Sequence, residues 1–343
     1  MLFKKAVIFS LVAGAFAQSN TIVDVLQASG QNTKLLALLT DSSTYAPIVT
    51  LLSGNGTFTV FAPNDDAFDK ANLTTGADYT SYHILGSVIP SVALANGSNF
   101  ADTLLTNTTY DKFGNGQGLP LDVVKDSTGV TVHFGLGSST VVKADNNATN
   151  GVVHIIDTIL MPPVAPSATA EAANLTGVVD ALTTAGLVSA VDGAMGVTIF
   201  APSNGAFQAL VASVGNLSSI PLSTLQNILK YHVVSGVYYS TNIIALKEPT
   251  DVTTLLGPTV HVLFNGTNVL VNNSTVVLAD ILVDNGVVHV IDSVLMPPTS
   301  SSSSATGASS ASSTSTPTSL AVHNQASFVT AAALAVVFCV LLL

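Results

Sequence analysis

The chain of 343 residues has no tryptophan, no arginine and one cysteine, and its nine lysines face 20 acidic residues for a net charge of −11. A protein that neutralises nucleic-acid phosphates needs clustered cations, so nucleic acid is excluded as a partner. The cysteine, Cys339, lies in the apolar run that ends the sequence, so the rest of the chain has no thiol chemistry, no cysteine-metal site and no disulfide.

Met1 to Ala17 reads as a secretory signal peptide: Lys4 and Lys5, an apolar run from Ala6 to Phe16, and the small-x-small site Ala15-Phe16-Ala17. Its removal leaves 9 − 2 = 7 lysines. Apolar spacing then predicts helices over Thr21 to Ala28, Thr33 to Leu39 and Tyr45 to Leu52. A β-rich stretch, Thr57 to Phe61, leads through Ala62-Pro63 into a new helix, with Asn64 at the N-cap position and Phe68 one turn inside facing the core. Asp65, Asp66 and Asp69 are better read as helix-start carboxylates than as a cation site, because the matching positions downstream are Asn204, Gly205 and Gln208.

Residues 164–173 are rich in Pro and Ala and read as a linker. Either the second half lacks an N-terminal helix, or one begins within Pro162 to Ala173. Thr176 to Leu187 has Val178, Val179, Leu182 and Ala185 at helical spacing and Gly186 placed to stop it. The strand Val197 to Phe200, Pro202, an N-cap at Ser203 and Phe207 repeat the earlier passage. Pro221 to His232 then carries Leu225, Ile228, Leu229 and His232 on one side. From there the period is two, in Val260 to Phe264, Val269 to Val271, Val276 to Ala279 and Val287 to Ile291. Asn265-Gly266 and Asn285-Gly286 are hairpin-turn signals. Helices first and strands later give an α+β fold class.

Three echoes recur in order. TVFAPNDDAF from Thr59 answers TIFAPSNGAF from Thr198; Tyr82-His83-Ile84 answers Tyr231-His232-Val233; and NGVVHIIDTILMPP from Asn150 answers NGVVHVIDSVLMPP from Asn285. The chain is a tandem repeat. Each half resembles a fasciclin domain, the module of fasciclin-like and periostin-like adhesion proteins, over residues 20–163 and 174–298. The resemblance implies two modules in a row, each a helix cluster packed on a twisted β-wedge. It also implies a binding role for the Tyr-His region, associated with integrin binding in animal members, which falls here on Tyr82, His83, Tyr231 and His232.

His154 and His289 each sit mid-strand between apolar residues of one face and read as hydrogen-bonded core groups, with Pro63 and Pro202 also structural. Enzyme signatures fail. Glu171 and Glu248, the two glutamates, have no histidine near them for H-E-x-x-H, and Gly135-Leu136-Gly137-Ser138-Ser139 lacks the last glycine of G-x-S-x-G. No catalytic residue, metal or cofactor is expected. Paired aspartates of a hydrolase or transferase acting on wall polysaccharide remain the rival reading, to be recognised by a cleft with two facing carboxylates. A small-ligand or lipid carrier is a third, and would need a sizeable apolar cavity.

Sequons occur at Asn55, Asn72, Asn96, Asn107, Asn147, Asn174, Asn216, Asn265, Asn272 and Asn273, the last two overlapping so that at most one is used. Residues 299–319 are Ser/Thr-rich and read as an O-glycosylated stalk. Residues 320–343 end in the apolar run Phe328 to Leu343, shorter than the about 20 residues of a comfortable span. Spacer and apolar tail form the pattern for glycosylphosphatidylinositol (GPI) attachment, a single-pass tail being the alternative. The expectation is a GPI-anchored surface or wall glycoprotein of fungal type. Its partners would be surface, wall or matrix glycans or proteins, or further copies of itself, and the membrane through its lipid.

Overall fold

A computed structural model describes residues 20–298 apart from 42, 72–75, 115, 216–218 and 247. The signal-peptide, stalk and anchor readings and the sequons Asn72 and Asn216 lie outside the described residues.

The first module opens with helices α1 (Ile22–Ser29), α2 (Thr33–Asp41) and α3 (Ala46–Ser53). Strand β1 (Phe58–Pro63) follows, then α4 (Asp65–Ala71), α5 (Ala77–Tyr82) and β2 (Ile84–Leu85). Strands β3 (Phe100–Asp102), β4 (Pro120–Lys125), β5 (Val130–Phe134), β6 (Gly137–Ala148) and β7 (Gly151–Ile156) complete it. The second module repeats the plan with α6 (Pro166–Ala172), α7 (Thr176–Ala185), α8 (Val188–Asp192), β8 (Val197–Pro202), α9 (Asn204–Val214) and α10 (Leu222–Tyr231). It continues with β9 (Val233–Ser235), α11 (Ser240–Ile244), β10 (Thr250–Thr253), β11 (Thr259–Phe264), β12 (Val269–Val271), β13 (Ser274–Val283) and β14 (Gly286–Ile291). The fold class is α+β.

The sheets run β2-β1-β7-β6-β5-β4-β3 and β10-β11-β12-β13-β14-β8-β9, with β1/β7 and β8/β14 the parallel pairs. Bridges Leu85↔Thr103 and Val234↔Thr254 join the two ends of each sheet. What the resemblance implied as a wedge is thus a seven-strand, barrel-like sheet, and closure removes the open edges that invite strand addition.

Central strands β1 and β7 are buried along their whole length because each of their faces meets a different layer. Phe58, Val60, Ala62 and Val153 turn to the helices, whereas Phe61 and Ile156 turn into the barrel. Gly151 and Gly286 open β7 and β14 where the parallel partner passes close. A Cβ there would stand 2.0 Å from the Phe58 carbonyl oxygen and 1.8 Å from that of Val197, which explains the glycine in both NGVVH copies.

Residues 164–173 are not a linker. Pro166 occupies the first helical position of α6, where a fixed φ suits the helix and no intrahelical bond needs the N–H, and Ala170 packs into the second module's core. Leu160 N–H is bonded to His83 in the first module, and the Val164 carbonyl accepts from Asp284 N–H in the second. Three residues, two of them prolines, separate these anchors. Substituting proline has one visible consequence. In the first module Asn150 Oδ1 accepts from Ile22 N–H at 2.9 Å. At the matching place Pro166 has no N–H, and Asn285 Oδ1 is buried without a partner.

Candidate functional site

The Tyr-His pairs are interior groups. Tyr82 is fully buried, Tyr231, His83 and His232 nearly so. Tyr82 and Tyr231 donate their hydroxyls to the carbonyls of Pro120 and Thr259. His83 Nδ1–H donates to Tyr79 O at 2.7 Å and its Nε2 accepts from Leu160 N–H at 2.9 Å. His232 makes the same two bonds, to Ile228 O and from Leu295 N–H. Each histidine therefore fastens the chain end of its module to a helix terminus. Burial lowers both pKa values to about 4, against the raising effect of the carbonyl acceptors, and keeps the rings neutral. Tyr82, His83, Tyr231 and His232 therefore do not fit the binding role that the resemblance implies, because none presents a surface to a partner.

His154 and His289 occupy a second repeated constellation. In β6 and β13 the register slips, and Asp145 and Asp280 take positive φ of 57° and 62°. Such a bulge removes an N–H from the ladder. The orphan N–H of Asp145 is taken up by His154 Nδ1, and that of Asp280 by His289 Nδ1, each at 3.2 Å. The opposite nitrogens, as Nε2–H, donate to Ile89 O at 3.0 Å and Tyr238 O at 2.8 Å, and the rings stack on Phe61 and Phe200. The carboxylates of Asp145 and Asp280 in turn hold the amides and hydroxyls of Ser91 and Ser240. Serine, aspartate and histidine are thus together in both modules but wired for support. The hydroxyl donates to the carboxylate, and neither ring nitrogen is free to take its proton.

Asp65 does more than face its own helix dipole. It accepts from Lys34 N–H and the Thr33 hydroxyl at the start of α2, and Asn204 accepts from Gly177 N–H at the start of α7. Asp69 pairs with Lys34. Pro63 and Pro202 are buried at the strand ends, and the Pro63 carbonyl accepts from Asn32.

Sequence reasoning missed the seam between the modules. Phe100 stacks on Tyr239, and Val237 packs against the first module's barrel core. Lys112 donates from its backbone to Asp284 O at 2.8 Å and from Nζ to Asp284 Oδ2 at 2.7 Å. Gly196 approaches the Phe113 carbonyl so closely that a Cβ would stand 2.8 Å from it. Beside these contacts lies a cleft of about 400 Å³, lined by Asp122, Val124, His133 and Leu136 of the first module and by Leu278 and Asp280 of the second. Burial, with the Asp280 charge adding, pushes Asp122 up to about 6 despite the bond from Ser98. Burial and the charges of Asp102, Asp280 and Asp122 likewise raise Tyr239.

A polysaccharide hydrolase needs two facing carboxylates free to act. Here Asp280 is held by Ser240 and Asp122 by Ser98 Oγ and Asn99 N–H, and the lining has no Phe or Tyr on which a sugar ring could stack. The carrier reading finds an apolar cavity of about 30 Å³ among Leu26, Leu35, Leu39 and Phe68, room for about one water molecule.

The fasciclin-domain profile matches residues 20–162 and 173–297. The chain belongs to the fasciclin-domain family. It is 30% identical over 275 residues to a fasciclin-like arabinogalactan protein of Arthroderma benhamiae, covering 80% of this chain and 60% of that one. It is 28% identical to the Sus scrofa transforming growth factor-beta-induced protein ig-h3 over 72% of this chain and 35% of the relative, and 28% identical to Homo sapiens periostin over 72% and 29%. It therefore spans from under a third to 60% of the length of these relatives. A solved fasciclin domain pair from the insect cell adhesion molecule Fasciclin I aligns over 79% of this chain and 98% of its own, at 18% identity and TM-score 0.39.

On the two fasciclin modules, Asn55, Asn96, Asn107, Asn147, Asn174, Asn265 and Asn273 are exposed. Asn272 is not: half-buried with φ of 53°, its amide accepts from His261 N–H and donates to the Tyr231 hydroxyl. Among the described residues no group of His, Cys, Asp and Glu is placed to hold a metal ion, and no helix is long and apolar enough to cross a membrane.

Proposed function

We propose that this protein is a secreted, glycosylated cell-surface protein that mediates adhesion, or organises wall or matrix, through its two fasciclin modules without catalysis. Fasciclin-domain proteins take part in cell adhesion and the extracellular matrix, and the fungal relative is a fasciclin-like arabinogalactan protein. One observation carries the reading. The histidines that both modules repeat, His83/His232 and His154/His289, spend both ring nitrogens on backbone groups. What remains to meet a partner is the sequon-studded exterior and the seam.

Residues 299–319 would raise the modules above a GPI lipid joined within 320–343, as Ser/Thr-rich spacer and charge-free apolar tail suggest. Its partners are surface, wall or matrix proteins or glycans. Phosphatidylinositol-specific phospholipase C should release the protein from intact cells and abolish their mutual adhesion together. Retention in the membrane with a peptide containing Cys339 in the mature protein would overturn the anchor. Adhesion unchanged after complete release would overturn the function.

A further inference from the structure

The seam cleft is absorbed by no role described above. It is continuous with the interface that fixes the two modules, and its volume of about 400 Å³ falls within the range of ligand sites, about 300–1,000 Å³. Part of its wall is apolar, with Val124 half-buried and Leu136 and Leu278 48% and 53% exposed, and the rest is polar, from Ser98, Asp122, His133 and Asp280. Asp122, 4% exposed, and Asp280 supply its negative charge. Among the described residues the lysine–carboxylate pairs are Lys34–Asp69 and Lys112–Asp284, so neither carboxylate of the cleft is paired with a lysine. The basic group beside Asp122 is His133, its cross-strand neighbour in the same lining, whose influence does not offset the burial.

We propose that this cleft binds a lysine- or arginine-bearing segment of a partner protein, with the cation between Asp122 and Asp280 and its apolar neighbours on Leu136 and Leu278. A buried carboxylate without a counter-charge is costly, as the upward displacement of Asp122 records, and an incoming ammonium or guanidinium group relieves that cost. Anionic ligands are repelled. A neutral sugar lacks a platform, because Phe100 and Tyr239 spend their faces on each other. That the partner stands on a surface or in a matrix rests on the proposed function; cation binding itself does not.

The test is fluorescence anisotropy with the purified full chain and a labelled peptide carrying one lysine between leucines, beside the same peptide with acetyl-lysine. Saturable binding is expected, weakened about tenfold or more by acetylation, by Asp122→Asn and by 0.5 M salt. Leu136→Lys, an exposed change that the fold should tolerate, places the protein's own cation in the cleft and should have the same effect if Asp122→Asn does not fold. Equal binding of both peptides, retention of binding by the folded variants, or no binding up to millimolar peptide would overturn the site. The adhesion assay on the same variants is read separately, so that binding without adhesion removes the functional reading and leaves the site standing.

Discussion

Phe100 of the first module and Tyr239 of the second lie face to face, with ring centroids 3.7 Å and planes 9° apart. Phe100 opens β3 and Tyr239 caps α11, so the stack ties one module's barrel to a helix terminus of the other. An aromatic pair contributes about 0.5–1.5 kcal/mol beyond the area it buries. A double-mutant cycle on Phe100→Ala and Tyr239→Ala should return a coupling of about 1 kcal/mol, and in calorimetry either variant should broaden a single transition toward two. Zero coupling would mean that the rings meet without holding the modules together.

Lys112 supplies the counter-charge of a carboxylate that is 7% exposed, whereas its own side chain is 34% exposed. Burial raises the Asp284 pKa and the Lys112 bond and charge oppose it. Lys112→Met leaves that carboxylate alone. The cost in denaturant unfolding should be about 2–3 kcal/mol, below the full buried-pair value because Lys112 is partly solvated. Adding Asp284→Asn to Lys112→Met should recover most of the loss. If Lys112→Met is as stable as the parent, the bridge contributes nothing.

His83 and His232 set an acid limit. Their folded pKa of about 4 lies below the unfolded value of about 6.5, so protons bind the unfolded chain first. The stability they provide is complete above pH 6.5 and falls away as pH drops toward 4. Asp122 acts in the opposite sense: its folded pKa of about 6 lies above the usual carboxylate value, so acidification between those limits favours the folded state. Burial lowers His154 and His289 in the same sense as His83 and His232. At Asp145, Asp157 and Asp292 burial is outweighed by hydrogen bonds that hold the carboxyls low, against Asp102, Asp111 and Asp284, which burial raises. The groups that lose stability in acid prevail, and the melting temperature should fall from pH 7 to pH 4.5. Asp122→Asn should make that fall steeper. A melting temperature that rises over this range would contradict the assignment.

At the overlapping sequons, the glycan should be on Asn273 alone. The Asn272 amide is engaged on both sides, and its left-handed backbone places it in the β12–β13 turn facing the fold. Site-resolved glycopeptide mass spectrometry distinguishes the two, and glycan on Asn272 would be contrary.

The repeat made much of this molecule readable. FAP, YH and NGVVH fall in the parallel core strands and the helix end that fasten each module, where both sides of the chain are buried and few residues fit. Gly186 and Ser203 cap helices where short-range geometry alone decides. Local signals failed where position depends on distant partners. Proline and alanine in 164–173 resemble a linker until Pro166 is seen at the first turn of α6. The surface role for the Tyr-His pairs was borrowed from the resemblance, and burial reverses it. The seam was invisible for the same reason. Leu282, 1% exposed, stands where the first copy has the exposed sequon Asn147, and such a difference acquires meaning only when a Cβ on Gly135 is found to lie 3.5 Å from the Leu282 carbonyl oxygen.

The central claim is that the two modules act as one adhesive unit joined across that seam. The direct measurement is cell aggregation at matched surface density by cells carrying, ahead of the same residues 299–343, both modules, residues 20–163 alone or residues 164–298 alone. Both together should aggregate cells strongly and each alone far less, since a single module loses the seam and the joint presentation of two weak surfaces. Full aggregation by either single module would contradict the account, and absence of aggregation with every form would remove adhesion from it altogether.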